Sequence, residues 1–183
     1  RSVVEGFQYV WGERTVRMLL LLAFVPVLLG LPFQQFLPVF QEDVLHVSRG
    51  WLGLMFTAAG VGSLAGSLGV AYLSTSRRAG LYQLLAGLGF GVSLVLFGLS
   101  RSFPLSLAML ALVGLASQGF FVMNNVLLMN QTEPRYYGRM MSIYMITFAL
   151  MPVGVLPMGY FIDLVGAPLT QAGAGALLAV FIG

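Results

Sequence analysis

The charged residues of this chain sit almost entirely at the joints between long apolar runs. Six uncharged stretches lie between them: Met18–Gln41, Gly50–Ser76, Ala79–Ser100, Ser102–Thr132, Met140–Ile162 and Leu164–Gly183. Each reaches the ~20 residues that a helix needs to cross a hydrocarbon core of about 30 Å. A backbone in lipid must satisfy its hydrogen bonds internally, which leaves helices and closed barrels. Barrel strands alternate apolar and polar residues over about ten positions, whereas these runs are apolar on every face. The sequence therefore predicts an all-α polytopic membrane protein with six transmembrane helices. Its spans fall near residues 18–40, 50–73, 80–100, 104–130, 139–162 and 168–183.

Composition excludes the soluble alternatives. Only 8% of the 183 residues are charged, against about 25% in ordinary soluble domains, so no polar shell can be built. A cytosolic enzyme, a nucleic-acid binder and a disordered tail are ruled out on that ground. No cysteine is present, which removes disulfides, thiolate metal sites and cysteine nucleophiles. The single histidine, His46, cannot supply a paired-histidine zinc motif. The GxSG motif of intramembrane serine proteases is also missing, and no histidine lies in a later span to act as its base. No catalytic residue, metal site or cofactor is predicted.

Arginines carry all the positive charge, and their placement gives an orientation. With the N-terminus on side one, that side receives Arg1, Arg14, Arg17, Arg77, Arg78, Arg135 and Arg139, and the other only Arg49 and Arg101. The positive-inside rule puts side one, and with it both ends of the chain, in the cytoplasm. The expected location is the cell membrane, with the lipid bilayer as surroundings. Residues 1–16 read as an interfacial linker helix, with Val3, Phe7 and Val10 at helical spacing beside Trp11. Residues 17–183 form the bundle. The start at Arg1 and the short run after Pro168 suggest a piece of a longer protein, truncated within its sixth helix.

Inside the spans, small residues and prolines dominate. Gly62 and Gly66 in the second span, and Gly87 and Gly91 in the third, have the four-residue spacing that lets helix backbones approach in lipid. The first span carries Pro26, Gly30, Pro32 and Pro38, and the fifth carries Pro152, Gly154, Pro157 and Gly159. Proline withholds a backbone donor, which membranes tolerate only where neighbours or a wet cavity serve the freed carbonyls. Broken helices in two halves of a bundle point to a transporter site. The buried amides Gln34, Gln35, Gln118, Asn124 and Asn125 are the candidate substrate-cavity residues, since an amide in hydrocarbon needs a partner or water. No ionisable residue lies at mid-membrane depth, so a coupling ion or proton site is not expected in this stretch.

These residues resemble a known family. Glu5-Gly6-Phe7-Gln8-Tyr9-Val10 leading to Arg14–Leu22, Leu31-Pro32, Leu37-Pro38-Val39-Phe40 and Asp43-Val44-Leu45 are similar to the segment entering and leaving the seventh helix of a major facilitator superfamily transporter. Leu52-Gly53-Leu54 with Ala59-Gly60-Val61-Gly62 resembles the eighth helix. Gly69 through Arg77-Arg78 resembles a degenerate copy of the family's cytoplasmic loop motif, with Leu73 where that motif has aspartate. Glu133-Pro134 and Gly138-Arg139 resemble the turn between the tenth and eleventh helices. Gly154, Gly159, Asp163 and Gly166 resemble the outer end of the eleventh. The likeness is strongest to bacterial siderophore, macrolide and multidrug exporters.

The resemblance implies the C-terminal six-helix half of a twelve-helix permease, built as two inverted three-helix repeats. It also implies an N-terminal half as partner and a lipophilic or siderophore-like small-molecule substrate, exported by alternating access. Gly69, Arg77, Arg78, Gly138 and Arg139 would then form the cytoplasmic gate, and spans one and four would line the cavity. The reading set against it is a non-transporting scaffold or receptor-like module derived from such a half. Nucleic acid is not an expected partner.

Overall fold

A computed structural model describes residues 10–183. Most of the predicted linker helix therefore lies outside the described residues. Residues 10–12 are helical, and Glu13, in extended conformation, separates them from the helix that begins at Arg14. The helices are α1 (Arg14–Leu29), α2 (Phe33–Val39), α3 (Leu52–Leu73), α4 (Ala79–Leu99), α5 (Phe103–Asn130), α6 (Tyr137–Ala149), α7 (Met151–Val165) and α8 (Ala167–Ile182). A π-helical turn, Phe40–Val44, extends α2, and short 3-10 turns precede α3 and α6. Among the described residues there is no strand.

Among the described residues, five helical segments are long and apolar enough to cross a membrane: Arg14–Val44, Leu52–Leu73, Ala79–Leu99, Phe103–Asn130 and Pro134–Val165. The sixth, α8, is apolar but has 16 residues. The chain is thus an all-helical, multi-pass membrane protein. Large apolar side chains such as Leu64, Leu68, Leu156 and Val180 lie exposed on the outer faces of their helices, as a lipid-facing surface requires.

Spans one and five run past the limits that counting charges would set. Arg14 and Arg17 belong to α1, and Asp163 to the last turn of α7. A long arginine can reach back out of the apolar layer, and the Arg17 guanidinium donates to the Trp11 carbonyl at 3.2 Å. The turn into α8 depends on Gly166, whose φ of +88° lies where L side chains are strained. Pro168 then occupies the first turn of α8, where no donor is needed.

The helices pair in a pattern with internal symmetry. Span two packs along span four, span three against spans four and six, and span one against spans four, five and six. Exchanging spans one, two and three with four, five and six turns two–four into five–one and three–four into six–one, and leaves three–six unchanged. Span five also packs on span six, whose exchange counterpart, two–three, makes no comparable contact, so the relation covers only part of the bundle.

The contacts differ in kind across the bundle. On α3, Gly62 and Gly66 meet the carbonyls of Ala111 and Leu115 on α5, and Gly114 meets that of Ala59 in return; a Cβ at any of the three would collide with backbone. On α4 and α8, Gly91 and Gly175 face one another, and a Cβ on either would lie 2.7 Å from the other's carbonyl oxygen. Gly87 lies beside the Ile182 and Phe120 side chains. Helix α1, by contrast, touches α5, α6, α7 and α8 in small patches.

Candidate substrate cavity at two helix breaks

Spans one and five are each interrupted. Span one opens at Gly30–Pro32, where Gly30 and Leu31 both donate to the Pro26 carbonyl, at 2.8 and 3.0 Å. Span five opens at Leu150, between α6 and α7. Pro32 cannot donate to the Leu28 carbonyl four residues back, nor Pro152 to that of Phe148. The Leu28 carbonyl instead abuts Gly154 of α7, so closely that a Cβ there would collide with it. Only glycine lets the two broken spans meet at this point.

Between the breaks lies a cavity of about 350 Å³ lined by Leu31, Gln118, Phe121, Val122, Asn125, Val126, Tyr144 and Phe148. Gln118 and Asn125 are seven residues apart, two turns of α5, and so share a face. The Asn125 amide donates to the Met141 sulfur at 3.7 Å, a weak bond. Aromatic rings from α5 and α6 complete the lining. Tyr144 meets Phe148 edge-on with centroids 5.2 Å apart, and Phe148 leans on Phe121 at 5.4 Å. The lining carries no charge, and its few polar groups are amides and one phenol. Such a site suits a flat apolar molecule steered by hydrogen bonds.

Asn124 is not part of this lining. It sits about 100° round the helix from Asn125, fully buried, and its Oδ1 accepts from Gln83 Nε2 of α4 at 2.5 Å. Its Nδ2 makes no hydrogen bond. Leaving a buried donor unserved costs about 1–3 kcal/mol. Gln34 and Gln35 are exposed on α2 and do not line the cavity. The five candidate amides thus separate into two in the cavity wall, one behind it and two away from it.

The family model described as Major Facilitator Superfamily matches residues 1–155. The chain belongs to this superfamily. It is 27% identical over 169 residues to the multidrug efflux pump Tap of Mycolicibacterium fortuitum, a match covering 90% of this chain and 40% of that protein. Over 144 residues it is 26% identical to the enterobactin exporter EntS of Shigella flexneri, covering 79% of this chain and 33% of that one. The MFS-type transporter YfmI of Bacillus subtilis is 23% identical over 98% of the chain and 45% of its own length. The chain spans less than half the length of these relatives. No solved structure matches it.

Other parts of this superfamily chain were also singled out by sequence. Gly69 lines a cleft of about 320 Å³ with Gly66, Tyr82, Leu115 and Gly119, at the end of α3 that leads to the arginine turn. Arg77 and Arg78 are exposed in that turn, where the Arg78 amide donates to Ser76 Oγ at 3.2 Å. Gly138 is exposed. The Arg139 guanidinium lies 5.5 Å from the Tyr136 ring centroid, and that of Arg135 lies 4.6 Å from it. At the opposite end, Asp43, Arg101 and Asp163 come together round a cavity of about 440 Å³. His46 lies in the loop at that end, with Nδ1 3.0 Å from the Glu42 carbonyl. A crevice of about 400 Å³ between α1, α7 and α8 has Thr170 as its one polar side chain, so it offers shape without direction.

Leu31, Phe121, Tyr144, Phe148 and Gln83 escaped the sequence reading. Gln83 carries the same signal as Gln118, an amide inside an uncharged run, and could have been found by it. Phenylalanine and tyrosine are too common in membrane spans for their presence to mark a cavity wall.

Proposed function

We propose that this chain is the C-terminal half of a twelve-helix secondary transporter that exports flat, lipophilic small molecules by alternating access. The observation that carries the reading is the uncharged, amide-and-aromatic cavity placed where both proline-broken spans open. Family membership and the printed functions of Tap and EntS support export. The arginine turns face the cytoplasm, as do both ends of the chain. In this account α3, α4, α5 and α8 act as a rigid frame, and spans one and five shift against it to open the cavity to either side. The coupling charge resides in the N-terminal half, because the cavity here has none.

Transport by the full-length permease in inverted membrane vesicles tests this, with the fluorescent dye rhodamine 123 as probe. Accumulation that collapses when a protonophore is added is the expected result. Absence of dye movement under any imposed gradient would favour a non-transporting scaffold. Reading upstream of Arg1 offers an independent check: six further spans should precede it, one of them carrying an acidic residue.

A further inference from the structure

Two cavities of the bundle adjoin. The crevice between α1, α7 and α8 and the charged cavity at the end opposite the arginine turns share Val165 and Leu169 in their linings. Both side chains are exposed, so the join lies at the outer surface of the bundle. From Val165 the crevice follows α7 to Gly154 and Val153, a stretch of about 18 Å at 1.5 Å per residue. One leaflet's hydrocarbon is about 15 Å deep, half of the ~30 Å core. The crevice therefore runs from a membrane surface to near the midplane. Its one polar side chain is spent internally, because the Thr170 hydroxyl donates to the Gly166 carbonyl at 2.9 Å. At its mouth stand charges of both signs. Asp43 comes from the π-helical turn of span one, Arg101 from the turn between α4 and α5, and Asp163 from the last turn of α7. All three line the same space of about 440 Å³, and among the described residues no ion pair joins them. Opposite charges round one unbridged space suit a ligand that carries both signs.

We propose that this compound site holds a phospholipid whose headgroup pairs a phosphate with a primary ammonium, as in phosphatidylethanolamine. Arg101 takes the phosphate, for which a guanidinium has a matching fork of donors. Asp43 and Asp163 take the ammonium, whose three N–H groups can serve both carboxylates. One acyl chain lies in the crevice as far as Gly154, where the two broken spans touch. The headgroup thereby ties both of those spans to a turn of the frame. A choline headgroup keeps the phosphate, but its quaternary nitrogen has no hydrogen to donate. A glycerol headgroup has no cation at all.

Native mass spectrometry of the purified full-length permease tests this, with equal amounts of dioleoyl phosphatidylethanolamine and dioleoyl phosphatidylcholine supplied in detergent. Their chains are identical, so the headgroup alone decides. Wild type should retain the ethanolamine lipid about fivefold more, the scale of an exposed charge contact. Asp163→Asn should bring that ratio to about twofold or less while leaving retention of the choline lipid unchanged. Asp43→Asn should act in the same direction, and it carries the test if Asp163→Asn does not fold. Arg101→Gln should weaken both lipids alike, by about fivefold, and leave their ratio in place. Gly173 lines the crevice with open space round it, so Gly173→Leu should fold and lower retention of both lipids together. Equal retention of the two lipids by wild type, or a ratio untouched by both aspartate changes, would overturn the proposal. So would stronger retention of dioleoyl phosphatidylglycerol than of the ethanolamine lipid in a parallel competition. Full retention in Gly173→Leu would also overturn it, by taking the acyl chain out of the crevice.

Discussion

The two halves of the symmetric pairing pattern are built to different tolerances. Spans two and four meet through Gly62, Gly66 and Gly114, each pressed against the partner's backbone, and spans three and six meet through Gly91 and Gly175 in the same way. The equivalent pair of spans five and one has a single such approach, Gly154 on the Leu28 carbonyl, between helices that are both broken. Lipid gives helices no hydrophobic reason to associate, so close backbone packing is what holds them together. With only one such approach, that pair has less backbone packing to hold it in place. The cavity lies on that looser side.

The comparison can be broken most severely at Gly62. Gly62→Ala should lower thermal stability in detergent by about 3 kcal/mol, since overpacking against a carbonyl leaves nothing flexible to yield. Gly60→Ala, two residues away with open space around it, should be neutral or slightly stabilising through helix propensity. The matching change on the loose side, Gly154→Ala, meets an equally close carbonyl. Its helices can shift, so the expected stability loss is about 1 kcal/mol, while dye transport should fall far more than stability. Equal destabilisation by Gly62→Ala and Gly154→Ala would remove the distinction between the two sides.

Changes in the cavity wall should be smaller still in stability. Gln118→Leu and Asn125→Leu should alter dye transport without reducing membrane insertion, measured as yield of folded protein. Unchanged transport in both would return these amides to a packing role. Gln171 gives the mildest test, in the frame between α8 and α4. Its buried Nε2 has no partner, so Gln171→Leu should be neutral or raise stability by up to about 1 kcal/mol, with transport unaffected.

The spans were legible in the sequence because charge is nearly forbidden in hydrocarbon, so fifteen charged residues mark the joints. Ends were less legible, since Arg14 and Arg17 can begin a helix and still keep their guanidinium groups in water. Gly62 and Gly66 were legible from spacing alone; Gly114 was not, because its partner on α3 is 55 residues away in sequence. For the cavity, the sequence pointed to amides but not to the direction in which each faces. One step along α5 separates Asn125, in the wall, from Asn124, behind it, and a sequence carries no phase for a helix that is apolar all round. The aromatic wall and the Gln83–Asn124 bond depend on packing between helices, which no local pattern records.

The central claim is that spans one and five move against a frame that does not. The chain has no cysteine, so paired spin labels can be placed in this half without competing sites. One pair, on Leu64 of α3 and Leu112 of α5, reports on the frame; a second, on Leu64 and Leu156 of α7, reports across the boundary. All three side chains are exposed. Electron–electron distance measurements on the full-length permease in nanodiscs, with and without rhodamine 123, should leave the first distribution narrow and fixed. The second should shift by about 2–5 Å, the range between a helix slide and a one-turn ratchet. Equal shifts in both pairs, or none in the second, would contradict the account.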